Sequence, residues 1–168
     1  DREALGRQLA ADFGRATWIA GNHRGKLALP KAVRFSDTMA RLGISGIYAP
    51  FTGEANYNGL LPDCELPFTM AHEMAHQHGY ASEDEANFVA FLVCSTSASA
   101  ECRYSAFLLA NQYVLFSLAL TGTDITSLVT QLAPGPKADL KAIRDFWLHY
   151  RGWLQKVANR VNDTYLKA

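Results

Sequence analysis

Residues 66–79 read LPFTMAHEMAHQHG, and this stretch predicts a short helix with two histidines on one face. Pro67 lies in the first turn, where its missing N–H costs no hydrogen bond, and Gly79 follows at the point where a helix would end. His72 and His76 are four residues apart, so their imidazoles project from the same side. The stretch therefore predicts a helix over residues 66–78 that presents a pair of metal-ligating side chains.

The pattern HExxH, formed here by His72, Glu73 and His76, is typical of zinc-dependent hydrolases. Two imidazoles suit Zn²⁺, and Glu73 beside the first one can reach a water on the metal and act as general base. His78 points about 200° away from His76 on a helix and is a poor ligand. We therefore expect a hydrolytic site with one Zn²⁺ per chain.

A hydrolytic zinc site takes a third protein ligand and leaves its fourth position to water. Residues 82–85 read SEDE, which has the form of a capping box and predicts that a second helix begins there. Glu85 at the third helical position can bond back to the Ser82 N–H. Glu83 instead shares a face with Asn87 one turn later. We favour Glu83 as the third ligand, with Glu85 as the alternative, and expect Asn87 to support a ligand by hydrogen bonding.

Residues 44–58 read ISGIYAPFTGEANYN, in which β-forming residues are interrupted by Gly, Pro and Asn. This pattern predicts a small hairpin that turns near residues 50–53 and supplies an edge strand before the metal helix. Such an edge can bind an extended peptide by main-chain pairing. Glu54 and Asn56 are thus candidate substrate-facing residues, and ordinary turn and edge-strand polarity explains them equally well.

Composition indicates one compact domain. The chain has 168 residues, 49% of them hydrophobic, with 16 basic and 16 acidic side chains, so no charge bias favours nucleic acid or acidic lipid. The longest apolar run, residues 106–120, contains Asn111 and Gln112 and is shorter than the roughly 20 residues of a membrane span. It predicts a buried core helix, and a long last helix is expected over about 137–165 after the break at 133–136. We expect a mainly α (α+β) fold.

Three cysteines leave two alternatives. Cys94 and Cys102 bracket the Ser/Ala-rich segment 95–100, and a disulfide between them would fit an oxidising compartment and leave Cys64 free. Alternatively, all three are thiols that pack as small apolar side chains. The sequence does not separate these alternatives.

Several segments carry a resemblance to known families. Residues 83–88, EDEANF, resemble the ExxA[DN] element of gluzincin-type metallopeptidases, which implies Glu83 as zinc ligand supported by Asn87. A wider resemblance, in order along the chain, is to the bacterial DUF3810 family of membrane-anchored proteins. It covers GIY at 46–48, PFTGEAN at 50–56, LPFT at 66–69, HEMAHQ at 72–77, GY at 79–80, EDEANF at 83–88, RYS at 103–105 and YLK at 165–167.

The resemblance implies a single zincin-like domain over residues 1–168 that follows amino-terminal transmembrane helices. Because the chain starts at Asp1 without Met or signal peptide, we expect it to be a soluble fragment of such a protein. The resemblance to zincins, which often act outside the cytoplasm, favours the extracytoplasmic face. The resemblance assigns no substrate. Within the RYS motif, Tyr104 is our candidate donor to the oxyanion, with Tyr80 and Arg103 as alternatives.

These expectations describe a zinc metallopeptidase that acts on a peptide or protein, either broadly or on a single partner. The alternative is a non-catalytic, zinc-stapled interaction or sensor domain of a membrane protein. Three protein ligands plus water would favour hydrolysis, whereas four protein ligands would favour a structural site. Neither reading involves nucleic acid, and the sequence predicts no oligomeric state.

Overall fold

The computed structural model describes residues 1–17 and 28–165, and the side chains of those up to residue 152. These residues form seven helices and three short strands, which confirms the mainly α (α+β) expectation. In chain order the elements are α1 (Arg2–Arg15), β1 (Lys31–Val33), α2 (Ser36–Arg41), β2 (Gly46–Ala49), β3 (Glu54–Asn58), α3 (Leu66–Gln77), α4 (Glu83–Ser95), α5 (Ala100–Leu120), α6 (Thr126–Gln131) and α7 (Pro134–Tyr165).

The sheet contains the predicted hairpin and one strand that the sequence did not indicate. β2 and β3 pair antiparallel around a turn in which Gly53 has a φ of 68°, a conformation that favours glycine. β1 is only three residues long, which is too short to show an alternation of apolar and polar residues in the sequence. It pairs in parallel with β3. The strand order is β1-β3-β2. The edge strand of the hairpin is therefore β2, and β3 is central.

α3 is the centre of the core. It packs against α4, α5 and the hairpin, and its inward side is almost fully buried. Alanines at the α3–α4 contact, among them Ala71, Ala75, Ala86 and Ala90, let the two helices approach closely, and each is at most 1% exposed. This packing fixes the position of α3, and with it the two histidines of the motif.

α3 ends in a Schellman motif that bears on the site. Gly79 has a φ of 96°, its N–H donates to His76 O, and the Tyr80 N–H donates to Ala75 O. The helix thus ends one residue before the predicted boundary. α4 begins after the extended N-cap residue Ser82, as predicted, although no side-chain capping hydrogen bond forms there.

α5 confirms the helix predicted over residues 106–120, but this helix is less buried than predicted. Residues 106–120 are helical, yet only the first half of α5 is packed in the core. Phe116 is 62% and Leu120 is 73% exposed. The reason is length, since α5 has 21 residues and its neighbour α4 has 13, so α5 extends past the helices that cover it. Among the described residues, no helix is long and apolar enough to cross a bilayer.

All three cysteines are free thiols. Cys94 and Cys102 are fully buried at the α4–α5 contact, and Cys64 is half-buried. A hydrogen bond between Cys94 and Cys102 lowers the pKa of Cys102 to about 7 and raises that of Cys94. Of the two alternatives left by the sequence, the structure has the one without a disulfide.

Candidate metal centre

The end of α3 sets the tautomer of His76. The Schellman turn brings the Tyr80 carbonyl oxygen to 2.7 Å from His76 Nδ1. A carbonyl can only accept a hydrogen bond, so Nδ1 carries the proton and donates it. In the neutral ring, the lone pair is then on Nε2, which is the atom that faces the second histidine. A backbone carbonyl on the far nitrogen is a common support for a metal-binding imidazole.

His72 faces His76 across a short gap. Their Nε2 atoms are 3.0 Å apart, and the two rings lie nearly perpendicular, with an interplanar angle of 88°. Burial lowers the pKa of His72, and the charge of His76 adds to this effect, whereas Glu83 and Asn87 act in the opposite direction. A lowered pKa favours the neutral imidazole, which is the form that binds metals.

Glu83 completes the group from the start of α4. Its Oε2 atom lies 3.2 Å from His72 Nε2, and its Oε1 atom lies 3.6 Å from His76 Nε2. One ligand atom from each of the three residues can be chosen so that all lie within 4.8 Å of one another. Within the part of the chain that the structure describes, no fourth His, Cys, Asp or Glu joins this group.

The three donors fit a zinc ion by type and by spacing. Two imidazole nitrogens and one carboxylate oxygen are ordinary zinc ligands, and ligands about 2.0–2.2 Å from one tetrahedral ion lie roughly 3.4 Å apart. The separations of 3.0 to 3.6 Å in this group are close to that value. Glu85, the alternative ligand, is exposed and lies outside the group.

Glu73 is buried beside these ligands and lies directly under β2. It is 4% exposed, and a Cβ atom on Gly46 would come within 2.4 Å of Glu73 Oε1. Burial raises the pKa of Glu73 to about 8, and the charge of Glu83 adds to the rise, while a hydrogen bond with the Tyr48 backbone opposes it. Gly46 is therefore needed because it lets the strand pass close to this carboxyl group.

A cleft of about 750 Å³ brings β2 and the metal ligands together. It is lined on one side by residues 43–48 and Pro50, and on the other by His72, Glu73, His76 and Glu83. The side-chain amide of Gln77 fixes the hairpin to α3, because Gln77 Nε2 donates to Gly53 O at 2.7 Å. The arrangement places an edge strand, a buried carboxyl group and three metal donors around one open space.

The candidate oxyanion donors do not reach this cleft. The Tyr104 hydroxyl donates to Asp139, and Tyr104 lines a separate cavity at the amino terminus of α3. Burial and Asp139 raise the pKa of Tyr104 to about 12. Arg103 binds the carbonyl oxygens of Ser97 and Ala98, and Tyr80 contributes its carbonyl oxygen to His76.

The two candidate substrate-facing residues also lie away from the cleft. Glu54 pairs with Lys31 Nζ at 2.5 Å, which lowers the pKa of Glu54. Asn56 is on the central strand and donates to Glu54 O. Neither residue lines the cleft, because β2 rather than β3 is the strand that faces it.

Two residues at the site were missed in the sequence. Asn87 Nδ2 donates to the hydroxyl oxygen of Tyr113 at 3.2 Å, and Tyr113 lines a small hollow together with His72 and Glu83. No local signal could have found Tyr113, which is 26 residues from Asn87 on another helix. Gly46 did have a signal, since a glycine inside a strand pattern often marks close backbone approach.

Comparison with known proteins gives a family but no described relative. The model of a family described as "Protein of unknown function (DUF3810)" matches residues 8–168. No curated protein matches the chain, and no solved structure matches it.

Proposed function

The chain belongs to the DUF3810 family, and we propose that it is a zinc-dependent metallopeptidase. In this proposal His72, His76 and Glu83 bind one Zn²⁺, and Glu73 is the general base. The observation that carries the proposal is the convergence of three donor atoms within 4.8 Å beside a buried carboxyl group in the same cleft. A structural zinc site does not need a buried carboxyl group beside its ligands.

Zinc bound to these residues would supply a Lewis acid that activates water and polarises the scissile carbonyl. The chain's own contribution begins with orientation. The Tyr80 carbonyl holds the His76 ring with Nε2 directed to the site, and the α3–α4 turn brings Glu83 opposite both histidines. Three groups from the described residues converge, so a tetrahedral ion held by them would keep one position for water or substrate.

Glu73 moves the proton. Beside a bound zinc ion Glu73 would be ionised, because a nearby cation favours the charged form of a carboxyl group. Its carboxylate would then accept a proton from the attacking water and return it to the leaving amine, as a general base and acid in turn. Burial under β2 keeps this group away from bulk water and restricts its position. The Tyr48 backbone, which hydrogen-bonds it, further fixes the carboxyl group beside the strand.

β2 supports a peptide as the substrate. It is an edge strand, and no described strand pairs with its outer side. An extended peptide can add to such an edge by main-chain hydrogen bonds, which would align it along the metal ligands. A cleft of about 750 Å³ alongside β2 is large enough for several residues of a peptide.

Tyr113 replaces Tyr104 as the proposed donor to the oxyanion. Its hydroxyl oxygen accepts a hydrogen bond from Asn87, so its own O–H remains available to donate. It lines the same hollow as His72 and Glu83. A donor placed there can stabilise negative charge that develops on a carbonyl oxygen at the metal.

The alternative, a zinc-stapled interaction or sensor domain, is less well supported. A closed structural site takes four protein ligands, whereas the group found among the described residues has three. From the family resemblance we also propose that the domain is held at a bacterial membrane by segments outside residues 1–168, on the extracytoplasmic side.

The test is Glu73→Gln. Elemental analysis should find about one zinc per chain in both the parent and the variant, because Glu73 is not a ligand. The parent should cleave peptides from a mixed library, and the variant should lose roughly 10²- to 10⁴-fold in rate. Glu85→Gln, which makes the same chemical change on an exposed residue of α4, should retain activity. Equal cleavage by Glu73→Gln and the parent would refute the mechanism.

A further inference from the structure

A second space, lined mainly by residues of α3, α4 and α5, adjoins the candidate metal ligands, and we call it the side hollow. Its inner part, about 220 Å³, is lined by His72 and Glu83 among others. Its outer part, about 320 Å³, extends to Phe116 on α5. Both parts are lined by Glu65, Leu109 and Tyr113, so they are adjacent. The side hollow therefore leads from the metal ligands to the exposed half of α5.

Glu65 is the unusual residue of the side hollow. It is 7% exposed and immediately precedes α3. Trp147 Nε1 donates to its Oε1 atom at 3.4 Å, while its Oε2 atom is buried with no hydrogen-bond partner among the described residues. No salt bridge to Glu65 occurs in that part of the chain either. A buried carboxyl group in this state costs free energy unless a partner is supplied.

The walls of the side hollow are largely apolar. Leu109, Tyr113 and Phe116 come from α5, and Phe68 comes from α3. Tyr113 and Phe116 are 57% and 62% exposed, although both are large aromatic residues. Apolar walls around one buried acid provide contact for an aliphatic chain and a partner for a cation at its end.

We propose that the side hollow is the subsite for a lysine or arginine side chain of the peptide substrate, next to the bond that is cleaved. The methylene groups would contact the α5 wall, and the cationic group would pair with Glu65. This inference rests on the proposed function, because it takes the metal ligands as the point of cleavage. A neutral side chain of the same length would leave Glu65 without its partner and would bind more weakly.

A supporting detail is the state of Glu65 without substrate. Burial raises the pKa of Glu65 to about 7, and the hydrogen bond from Trp147 opposes the rise only in part. A nearby cation favours the charged form of a carboxyl group. The substrate would thus supply the charge that this site lacks.

The subsite can be tested by binding, without catalysis. Isothermal titration calorimetry would compare arginine hydroxamate with norleucine hydroxamate on the zinc-loaded chain, since both carry the same zinc-chelating group. We expect arginine hydroxamate to bind at least about tenfold more tightly, the value of one hydrogen bond to a charged group. Glu65→Gln should abolish this preference. Asp63→Asn, the same change two residues away on a side chain that is 94% exposed, should preserve it.

A second probe separates this inference from the proposed function. n-Butylguanidinium carries the cation and a short alkyl chain but no zinc-chelating group, so it can be titrated into the metal-free protein and followed by NMR. Binding that requires Glu65 supports the subsite even if neither hydroxamate binds, and that pattern would refute the zinc site alone. Equal affinity for the two hydroxamates, or a preference that survives in Glu65→Gln, would refute the subsite. If neither arginine hydroxamate nor n-butylguanidinium binds, the subsite is refuted as well.

Discussion

The cleft and the side hollow each hold one buried glutamate, yet their surroundings differ. Glu73 is 4% exposed and Glu65 is 7% exposed, and burial raises the pKa of both, to about 8 and about 7. Glu73 lies against a strand backbone beside a second acid, Glu83, and two imidazoles. Glu65 faces apolar side chains and the Trp147 indole. In our two proposals, burial of a glutamate serves different chemistry, namely proton transfer in the cleft and recognition of a cation in the side hollow.

The largest expected effect distinguishes the proposed ligand Glu83 from its neighbour Glu85 and from the buried Glu65. Glu83→Gln replaces an anionic ligand by a neutral amide, so zinc affinity should fall by more than the roughly 10- to 100-fold typical of residues that only support a ligand. Glu85→Gln on the same turn of α4 and Glu65→Gln in the side hollow should leave it unchanged. Competition with a chromophoric chelator measures all three. Equal losses of zinc affinity in Glu85→Gln and Glu83→Gln would contradict the assignment of Glu83 alone as the third ligand.

The next effect would test the close contact that defines the cleft. Gly46→Ala places a Cβ atom 2.4 Å from Glu73 Oε1, so the carboxyl group or the strand must move. Such a displacement should reduce peptide cleavage by about 10²-fold, and overpacking should lower the free energy of unfolding by about 1–3 kcal/mol. Zinc content should be unchanged.

Gly14→Ala is the matched control for this substitution. It adds a Cβ atom with nothing within 4 Å, on α1, and should cost neither activity nor stability. Cleavage rates and urea unfolding would be measured for both variants. Full activity and parental stability in Gly46→Ala would show that Glu73 does not depend on this approach.

The third effect concerns Glu65 and pH. Glu65 releases its proton near pH 4.5 in the unfolded chain but only near pH 7 in the folded one, so the unfolded state binds fewer protons between these values. The contribution of Glu65 to the stability of the parent should therefore fall as pH rises through this window, by up to about 3 kcal/mol. Glu65→Gln lacks this loss and should be the more stable protein at pH 8, with little difference at pH 4.

Denaturant unfolding at a series of pH values measures this difference. Asp63→Asn serves as the control, since an exposed carboxyl group gives no comparable gain. If Glu65→Gln and the parent show parallel pH profiles between pH 4 and 8, Glu65 is not a buried, partner-deficient acid. Glu65 and Glu73 would then not both be buried acids with raised pKa values.

The sequence predicted the centre of the site because its geometry is local. His72 and His76 lie one helical turn apart, and Gly79 ends the same helix, so helix geometry and capping chemistry suffice to place them. Glu83 follows within a few residues and was also placed correctly at the start of α4. The structure brings His72, His76 and Glu83 together at the positions that the motif implies.

The sequence did not indicate the position of residues whose surroundings come from distant parts of the chain. Tyr104 and Tyr113 lie on the same helix, and no local pattern indicates which one faces the metal ligands. Glu54 and Asn56 were assigned to an edge that β1 in fact covers. Burial of residues 106–120 was inferred from composition, whereas it depends on how far α4 extends alongside them.

The sequence by itself determined the metal helix, the α3–α4 corner and the hairpin, because periodicity, caps and turn residues act over a few positions. Only the tertiary structure decided which strand is the edge, which tyrosine lies at the site, and that Glu65 is buried beside the ligands. Those features depend on contacts between residues far apart in sequence, such as Trp147 with Glu65 and Tyr113 with Asn87. Side-chain packing selects such contacts in three dimensions, and local propensity does not encode them.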